Sequence, residues 1–381
     1  MILGIENTSD YQNIVKNKNI GLVTNFTGLT SKFELTSEVL NQYGKVVKLF
    51  TPEHGLHGVA AAGENVDSYY DDKLKLDVIS LYGGHQAPTE SELSDVDIIV
   101  FDIQDIGIRY YTYIYTLLRV MQVAEKVNLS ILVMDRPLPL GRENPLGDEL
   151  TPDYFSFVGL LPLPNRYGLT IGELAEFIKD NYLPNLDLHV GHMINWNSRK
   201  DIRQNGLSWV SPSPNLPTFD ALRLYSGLCL IEGTNLSEGR GTVRPFEQVG
   251  APWINGELLA GYMNDDSKIT QEGKLAFQPV WFEPLTSKFE GEICQGIQIH
   301  IKDTKFNALK LGYSVLKSMI HLYTDKFTYD LVSPSIGTNH HFIEYLAGKN
   351  IRSEMDLNEL IDDTEYDNKG FKKKVEKYFL Y

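Results

Sequence analysis

The chain has 381 residues, 42% of them hydrophobic and 22% charged, with a formal net charge of −15. That length allows one or two α/β-sized domains, and the hydrophobic share points to packed cores rather than a disordered chain. The acidic balance argues against a nucleic-acid partner, which needs a basic face for phosphates, but not against a small anion held by a few arginines.

In chain order, IGLVTN (20–25), VVKLFTPE (46–53), VDIIVFDIQD (96–105) and LSILVMDRP (129–137) are short apolar runs that end in polar or turn residues. Continuous apolarity predicts strands buried on both faces, as in a parallel sheet covered by helices. Between them, TSEVLNQYG and YTYIYTLLRVMQVAEK carry helical patterns. In the second, Ile114, Leu117, Leu118, Met121 and Ala124 recur at helical spacing and predict a core face. A doubly wound sheet is the economical reading. Further on, Thr170 and Glu173 form a capping box before LAEFIKDNY, with Pro184 beyond its end.

The stretch SPSPNLPT (211–218) holds three prolines in eight residues and reads as rigid and non-helical. A domain boundary is placed just after it, dividing the chain into 1–222 and 223–381. The second part carries a strand-like CQGIQIHIKD, a helical NALKLGYSVLKSMIHLY and a terminal NKGFKKKVEKYFLY, read as a helix with a solvated lysine face. The pair His340-His341 reads as a helix start.

Open α/β sheets bind ligands at the carboxyl ends of their strands. The ends here carry Asn25, Glu53 with His54, Asp102 with Asp105, and Asp135 with Arg136. If the sheet is parallel, these groups share one rim. Glu53 is the sharpest candidate. It sits in TPEHGLHG, after the stiff Pro52 and before Gly55 and Gly58, which let the backbone approach a ligand. A carboxyl held there beside apolar Leu56 suits a general acid; a helix cap or a partner for Arg109 is the plainer reading.

The cluster DIQDIGIRYYTY places Arg109, Tyr110 and Tyr111 beside two aspartates, a composition that suits a sugar. Arg109 is also placed to grip a substrate carboxylate, whereas Tyr115 reads as packing. A third cluster, EGTNLSEGRGTVRPFE (232–247), offers Glu232, Asn235, Glu238, Arg240 and Arg244 on a glycine-rich loop that suits closure over the rim. His57 and Glu64 complete the substrate-facing candidates.

The chain has no GxxxxGK[ST] and no strand-linked GxGxxG, which argues against nucleotide binding, and no HExxH or GxSxG. Its two cysteines, Cys229 and Cys294, show no zinc spacing and read as buried thiols. There is no run of about 18 apolar residues and no signal-peptide pattern at the N-terminus. A cytoplasmic protein with no membrane partner is expected, its oligomeric state open.

The segments PEHGLHG, LYGG…PT (81–89), FDIQDIGIRYYTY, DRPLPLG, GLTIGELA, PSPNLPT and EGTNLSEGRGTVRPFE together resemble, in this order, the exo-β-N-acetylmuramidases, a glycoside hydrolase family once catalogued as a domain of unknown function. The resemblance implies a Rossmann-like parallel-sheet domain followed by a smaller α/β domain, with the active site in the cleft between them. It implies release of N-acetylmuramic acid (MurNAc) from the non-reducing end of peptidoglycan fragments during cell-wall recycling, without cofactor or metal. Matched by motif, Glu53 and an aspartate of DIQD, Asp102 or Asp105, become the catalytic candidates.

Three positions depart from the family pattern: His57 stands where an arginine is usual, Leu138 replaces an amide, and GGHQAPT lacks a basic residue before its Pro-Thr. MurNAc carries an anionic lactyl ether, so Arg109, Arg240 and Arg244 are the arginines left to receive it. Two competing readings are a metal-dependent hydrolase built on Glu53, His54, His57 and Asp102, and an amino-sugar-binding protein without turnover.

Overall fold

The computed structural model describes residues 1–60, 63–64, 66–329, 339–351, 353–362 and 368–381. Ten strands are found among them: β1 (Asn19–Thr24), β2 (Lys45–Thr51), β3 (Tyr69–Asp71), β4 (Leu76–Ser80), β5 (Ile98–Asp102), β6 (Ser130–Met134), β7 (Leu188–Gly191), β8 (Gln248–Ala251), β9 (Leu275–Phe282) and β10 (Cys294–Ile301). The first seven form one sheet in the order β3-β4-β2-β1-β5-β6-β7. All its pairings are parallel except β3 with β4 at the edge. Counting only the parallel strands, the spatial order is 3-2-1-4-5-6, the Rossmann arrangement, whose order reverses at β1.

Side-chain alternation explains why these runs are apolar throughout. Ile20, Leu22, Ile98, Val100, Leu132 and Met134 pack on one face against Leu3, Ile5, Tyr11 and Val15. Their neighbours Val23, Ile99, Phe101, Ile131 and Val133 pack on the other, in the core that holds Ile114, Leu117, Leu118, Met121 and Ala124 of the helix Tyr113–Lys126. Two covered faces leave no polar positions. In β2 the alternation slips: Val46 and Leu49 share a face because the register with β1 shifts between Ile20 and Gly21, a bulge in the ladder.

The smaller sheet is antiparallel, in the order β8-β10-β9. The chain reaches it along the helix Phe219–Leu228, so the boundary expected at 222/223 falls inside a helix. That helix crosses Ala308–Tyr323 at Gly227 and Gly312. A Cβ on Gly227 would stand 1.7 Å from the Ala308 carbonyl oxygen, and one on Gly312 would stand 2.4 Å from that of Gly227. Only glycine permits this approach.

The capping box forms as expected, with Thr170 accepting from the Glu173 N–H and Glu173 from the Thr170 N–H at 3.0 Å. His341 caps the helix Phe342–Ala347. In the tail, Lys369–Val375 is helical, with Phe371 and Val375 buried. Strands β3, β4 and β7, at three to five residues each, were not foreseen, and neither were β8 and β9. Isolated short runs carry little periodicity to read, and the eight-residue β9 holds Pro279 inside the run, which argues against a strand. Among the described residues no helix is long and apolar enough to cross a membrane.

Candidate active site

The stretch after β2 is a tight turn. His54 has φ 71°, Gly55 φ 71° and Gly58 φ 70°. The Gly55 N–H donates to the Pro52 carbonyl at 3.1 Å. At Gly58 the left-handed backbone lies against Phe26, whose ring would be 2.2 Å from an added Cβ. The buried His54 ring fixes the turn from inside, its Nδ1 2.8 Å from the Ala60 carbonyl oxygen. Together these contacts hold Glu53, half-buried, on the wall of a cavity of about 790 Å³.

Glu53 is held at both oxygens. Oε1 accepts from the Gly63 N–H at 3.0 Å and Oε2 from the Thr112 hydroxyl at 2.6 Å. A carboxylate has about four acceptor sites, so capacity remains for a ligand. Beside it lies Tyr82, whose phenol is pushed up by burial and then by the Glu53 charge.

The facing wall comes from beyond residue 222. The Arg240 Nη2 donates to Glu232 at 2.6 Å and its Nε lies 3.3 Å from Glu238. The Lys288 ammonium lies 3.3 Å from Glu238 and donates to the carbonyls of Ile231, Glu232 and Leu236 at 3.0, 3.1 and 2.9 Å. Burial raises the Glu232 pKa against the opposing charge of Arg240. Between the walls runs an aromatic floor: Tyr225 meets Tyr110 at 5.6 Å, Tyr111 at 6.2 Å and Phe246 at 4.8 Å, all near edge-to-face. This floor joins the two parts of the chain.

Of the residues singled out from the sequence, Glu53, His54, Glu64, Tyr110, Tyr111, Glu238 and Arg240 line this cavity. The others do not. Asp102 is fully buried in an ion pair with Arg136, whose Nε and Nη2 donate to its two oxygens, the latter at 2.8 Å, and it also accepts from Thr36. Arg136 borders a separate small cleft with Thr27 and Gln104. Asp105 accepts from Tyr167 and from the Gly107 N–H at 2.7 Å, and burial pushes its pKa up to about 6. Asn25 turns inward to the Thr27 N–H at 2.9 Å. Asp135 caps the helix Ile171–Tyr182 through the Gly172 N–H at 2.8 Å; burial and then the charge of Glu173 push it up to about 7.

Arg109 is fully buried and grips main chain, not ligand: its Nη1 donates to Leu163 at 2.8 Å and its Nη2 to Leu346 at 2.6 Å. Among the described residues it makes no ion pair with Glu53, Asp102 or Asp105, so the partnership of Glu53 with Arg109 does not form. Asn235 bonds to the main chain of Lys326 and Thr328. Arg244 is half exposed and pairs with Glu247 at 2.8 Å. His57 faces outward, 3.8 Å from Asp71. The quartet Glu53, His54, His57 and Asp102 therefore does not converge, and among the described residues no group of three or more His, Cys, Asp or Glu gathers in metal-binding geometry.

The sequence reading missed Tyr82, Thr112, Phe157, Phe246 and Lys288, all on the cavity, whereas Glu232 stands on it as the loop cluster suggested. Tyr82 had a signal, since it sits in the LYGG segment. Phe157 and Lys288 had none, because each lies in a loop of ordinary composition.

Residues 20–220 match the N-terminal family model, and residues 223–381 the C-terminal model, of exo-beta-N-acetylmuramidase NamZ. The peptidoglycan beta-N-acetylmuramidase NamZ of Bacillus subtilis (strain 168) is 40% identical over 380 residues, covering 98% of this chain and 89% of that protein. Crystal structures of two DUF1343 family proteins from Bacteroides fragilis are also similar. One has a TM-score of 0.85 at 29% identity, the other 0.72 at 27%, and each comparison covers 100% of this chain and 98% of the other.

Proposed function

The chain belongs to the exo-β-N-acetylmuramidase family of glycoside hydrolases, and from that premise we propose that it releases β-linked MurNAc from the non-reducing end of peptidoglycan fragments. In this reading residues 1–222 carry the acid and residues 223–381 supply the facing wall. Glu53 protonates the glycosidic oxygen as the bond to the leaving sugar breaks. Glu232 and Glu238 face the sugar ring and stabilise its developing positive charge. Arg240, whose buried Nη1 has no hydrogen-bond partner among the described residues, receives the lactyl carboxylate, while Lys288 spends its three N–H groups on carbonyls.

The observation that carries the reading is the state of three carboxyls. Glu53 is braced at both oxygens on the cavity wall, whereas Asp102 and Asp105 are consumed by interior partners. In this reading the two aspartates hold the strand ends in place and do not touch the sugar. The use of recycled wall fragments in the cytoplasm belongs to the same proposal.

A spectrophotometric assay on aryl β-MurNAc, with aryl β-GlcNAc alongside and EDTA in both, tests it. Release from the MurNAc glycoside, lost in Glu53→Gln, is the expected result. Release from neither glycoside by the wild-type protein would overturn it.

A further inference from the structure

Beside Glu53 the cavity carries an aromatic pair, Tyr82 and Phe157, placed there by strand register. Strands β2 and β4 are parallel neighbours with Thr51 opposite Ser80. Glu53 and Tyr82 each stand two residues beyond that pair, so the two side chains leave the sheet side by side, and the Leu81 N–H donates to the Thr51 carbonyl at 2.8 Å where they do so. Tyr82 packs edge-on against Phe157, centroids 5.8 Å apart at 67°. Phe157 is the tip of a reverse turn closed by Ser156 and Gly159, whose N–H groups donate to each other's carbonyls at 2.8 and 3.0 Å. Both rings are only partly buried, and both line the cavity. Phe157 also packs against the main core, yet part of its ring stays open to the cavity, where a sugar face can meet it.

We propose that Tyr82 and Phe157 form the subsite for the leaving sugar, an uncharged N-acetylated amino sugar such as GlcNAc, stacked against Phe157 with its bridging oxygen under Glu53. The inference rests on the proposed exo-muramidase reading for which end is which. Two sugars share the oxygen that Glu53 protonates. The anionic one belongs near Arg240 on the facing wall, which leaves the side of Glu53 that carries Tyr82 and Phe157 to its uncharged neighbour. Ring C–H groups of a pyranose match an aromatic face, and the cavity of about 790 Å³ is in the range that encloses ligands larger than one ring.

The test uses the full chain with Phe157→Ala and the conservative Phe157→Tyr, each checked for an unchanged thermal unfolding midpoint. Turnover is measured on the MurNAc–GlcNAc disaccharide and on methyl β-MurNAc, together with inhibition by free GlcNAc and by free MurNAc. In Phe157→Ala, kcat/KM on the disaccharide falls at least about ten-fold more than on the methyl glycoside. Inhibition by GlcNAc weakens by a similar factor while inhibition by MurNAc changes less, and Phe157→Tyr restores the wild-type pattern. Equal losses on both substrates, or an unchanged GlcNAc inhibition constant, would overturn the subsite. If the wild-type protein cleaves neither substrate, the exo-muramidase reading fails. The subsite is then decided by saturation-transfer NMR with GlcNAc: binding to wild type that Phe157→Ala abolishes keeps it, and any other pattern removes it.

Discussion

The Thr112 hydroxyl donates to Oε2 of Glu53 at 2.6 Å, tying the start of the helix Tyr113–Lys126 to the turn after β2. Two segments 59 residues apart in the chain thus share one carboxyl. General acids contribute roughly 10²–10⁴-fold to rate, so Glu53→Gln is expected to lower kcat by about that factor with an unfolding midpoint near wild type. Thr112→Val removes a hydrogen bond to a charged group, about 1.5–3 kcal/mol if fully expressed in the transition state, or about ten-fold or more in kcat. Steady-state kinetics with aryl β-MurNAc, paired with thermal unfolding, measures both.

Asp102 and Arg136 make the opposite prediction. Their pair is buried, at 0% and 5% side-chain exposure. Removing one partner of such a pair leaves an uncompensated charge and costs about 3–5 kcal/mol. Arg136→Met is therefore expected to destabilise the fold by that amount in urea denaturation. Asp102→Asn should lose mainly stability, and its folded fraction should turn over far better than Glu53→Gln. An Asp102→Asn protein of wild-type stability but without activity would move the catalytic role back to Asp102.

The pH dependence of stability follows from Asp105 and Asp135. Burial raises Asp105 to about 6, and burial with the Glu173 charge raises Asp135 to about 7, against about 3.9 in an unfolded chain. The folded protein then holds protons that the unfolded chain has released. Their contribution is fully present below about pH 4 and is lost as pH rises through 6 to 7. Asp105→Asn removes one titrating group, so its stability should fall less between pH 4.5 and 8, by on the order of 2 kcal/mol. Denaturant titrations of both proteins at the two pH values give the difference directly.

At the crossing of the helices Phe219–Leu228 and Ala308–Tyr323, Gly227→Ala would place a methyl 1.7 Å from the Ala308 carbonyl oxygen. Overpacking of this kind costs about 1–3 kcal/mol, occasionally more. The helices must part, and the wall bearing Glu232 lies directly after the first of them. A lowered midpoint together with a raised KM is expected, since the displacement reaches the cavity.

Local patterns were legible because local physics decides them. The apolar runs at β1, β2, β5 and β6, the helical face from Ile114 to Ala124, and the reciprocal cap of Thr170 with Glu173 depend on neighbours a few residues away. The turn at Glu53 was legible for a similar reason: proline, a carboxyl and two glycines together exceed what a simple connection requires. The short strands β3, β4, β7 and β8 were not, because three to five residues stabilised by a neighbouring strand carry no period of their own.

The sequence determined that charged groups crowd the carboxyl ends of a covered parallel sheet, and which family's motifs they spell. Tertiary structure alone decided which of those charges meet a ligand. Glu53 and Asp102 stand at the carboxyl ends of β2 and β5, the two strands that flank β1. One is left on the cavity by donors from Gly63 and Thr112, and the other is neutralised by Arg136, 34 residues further on. The same holds for the arginines: Arg109 is spent on carbonyls of Leu163 and Leu346, whereas Arg240 stands on the facing wall. Desolvation and pairing are set by partners distant in the chain, so no window of sequence contains the answer.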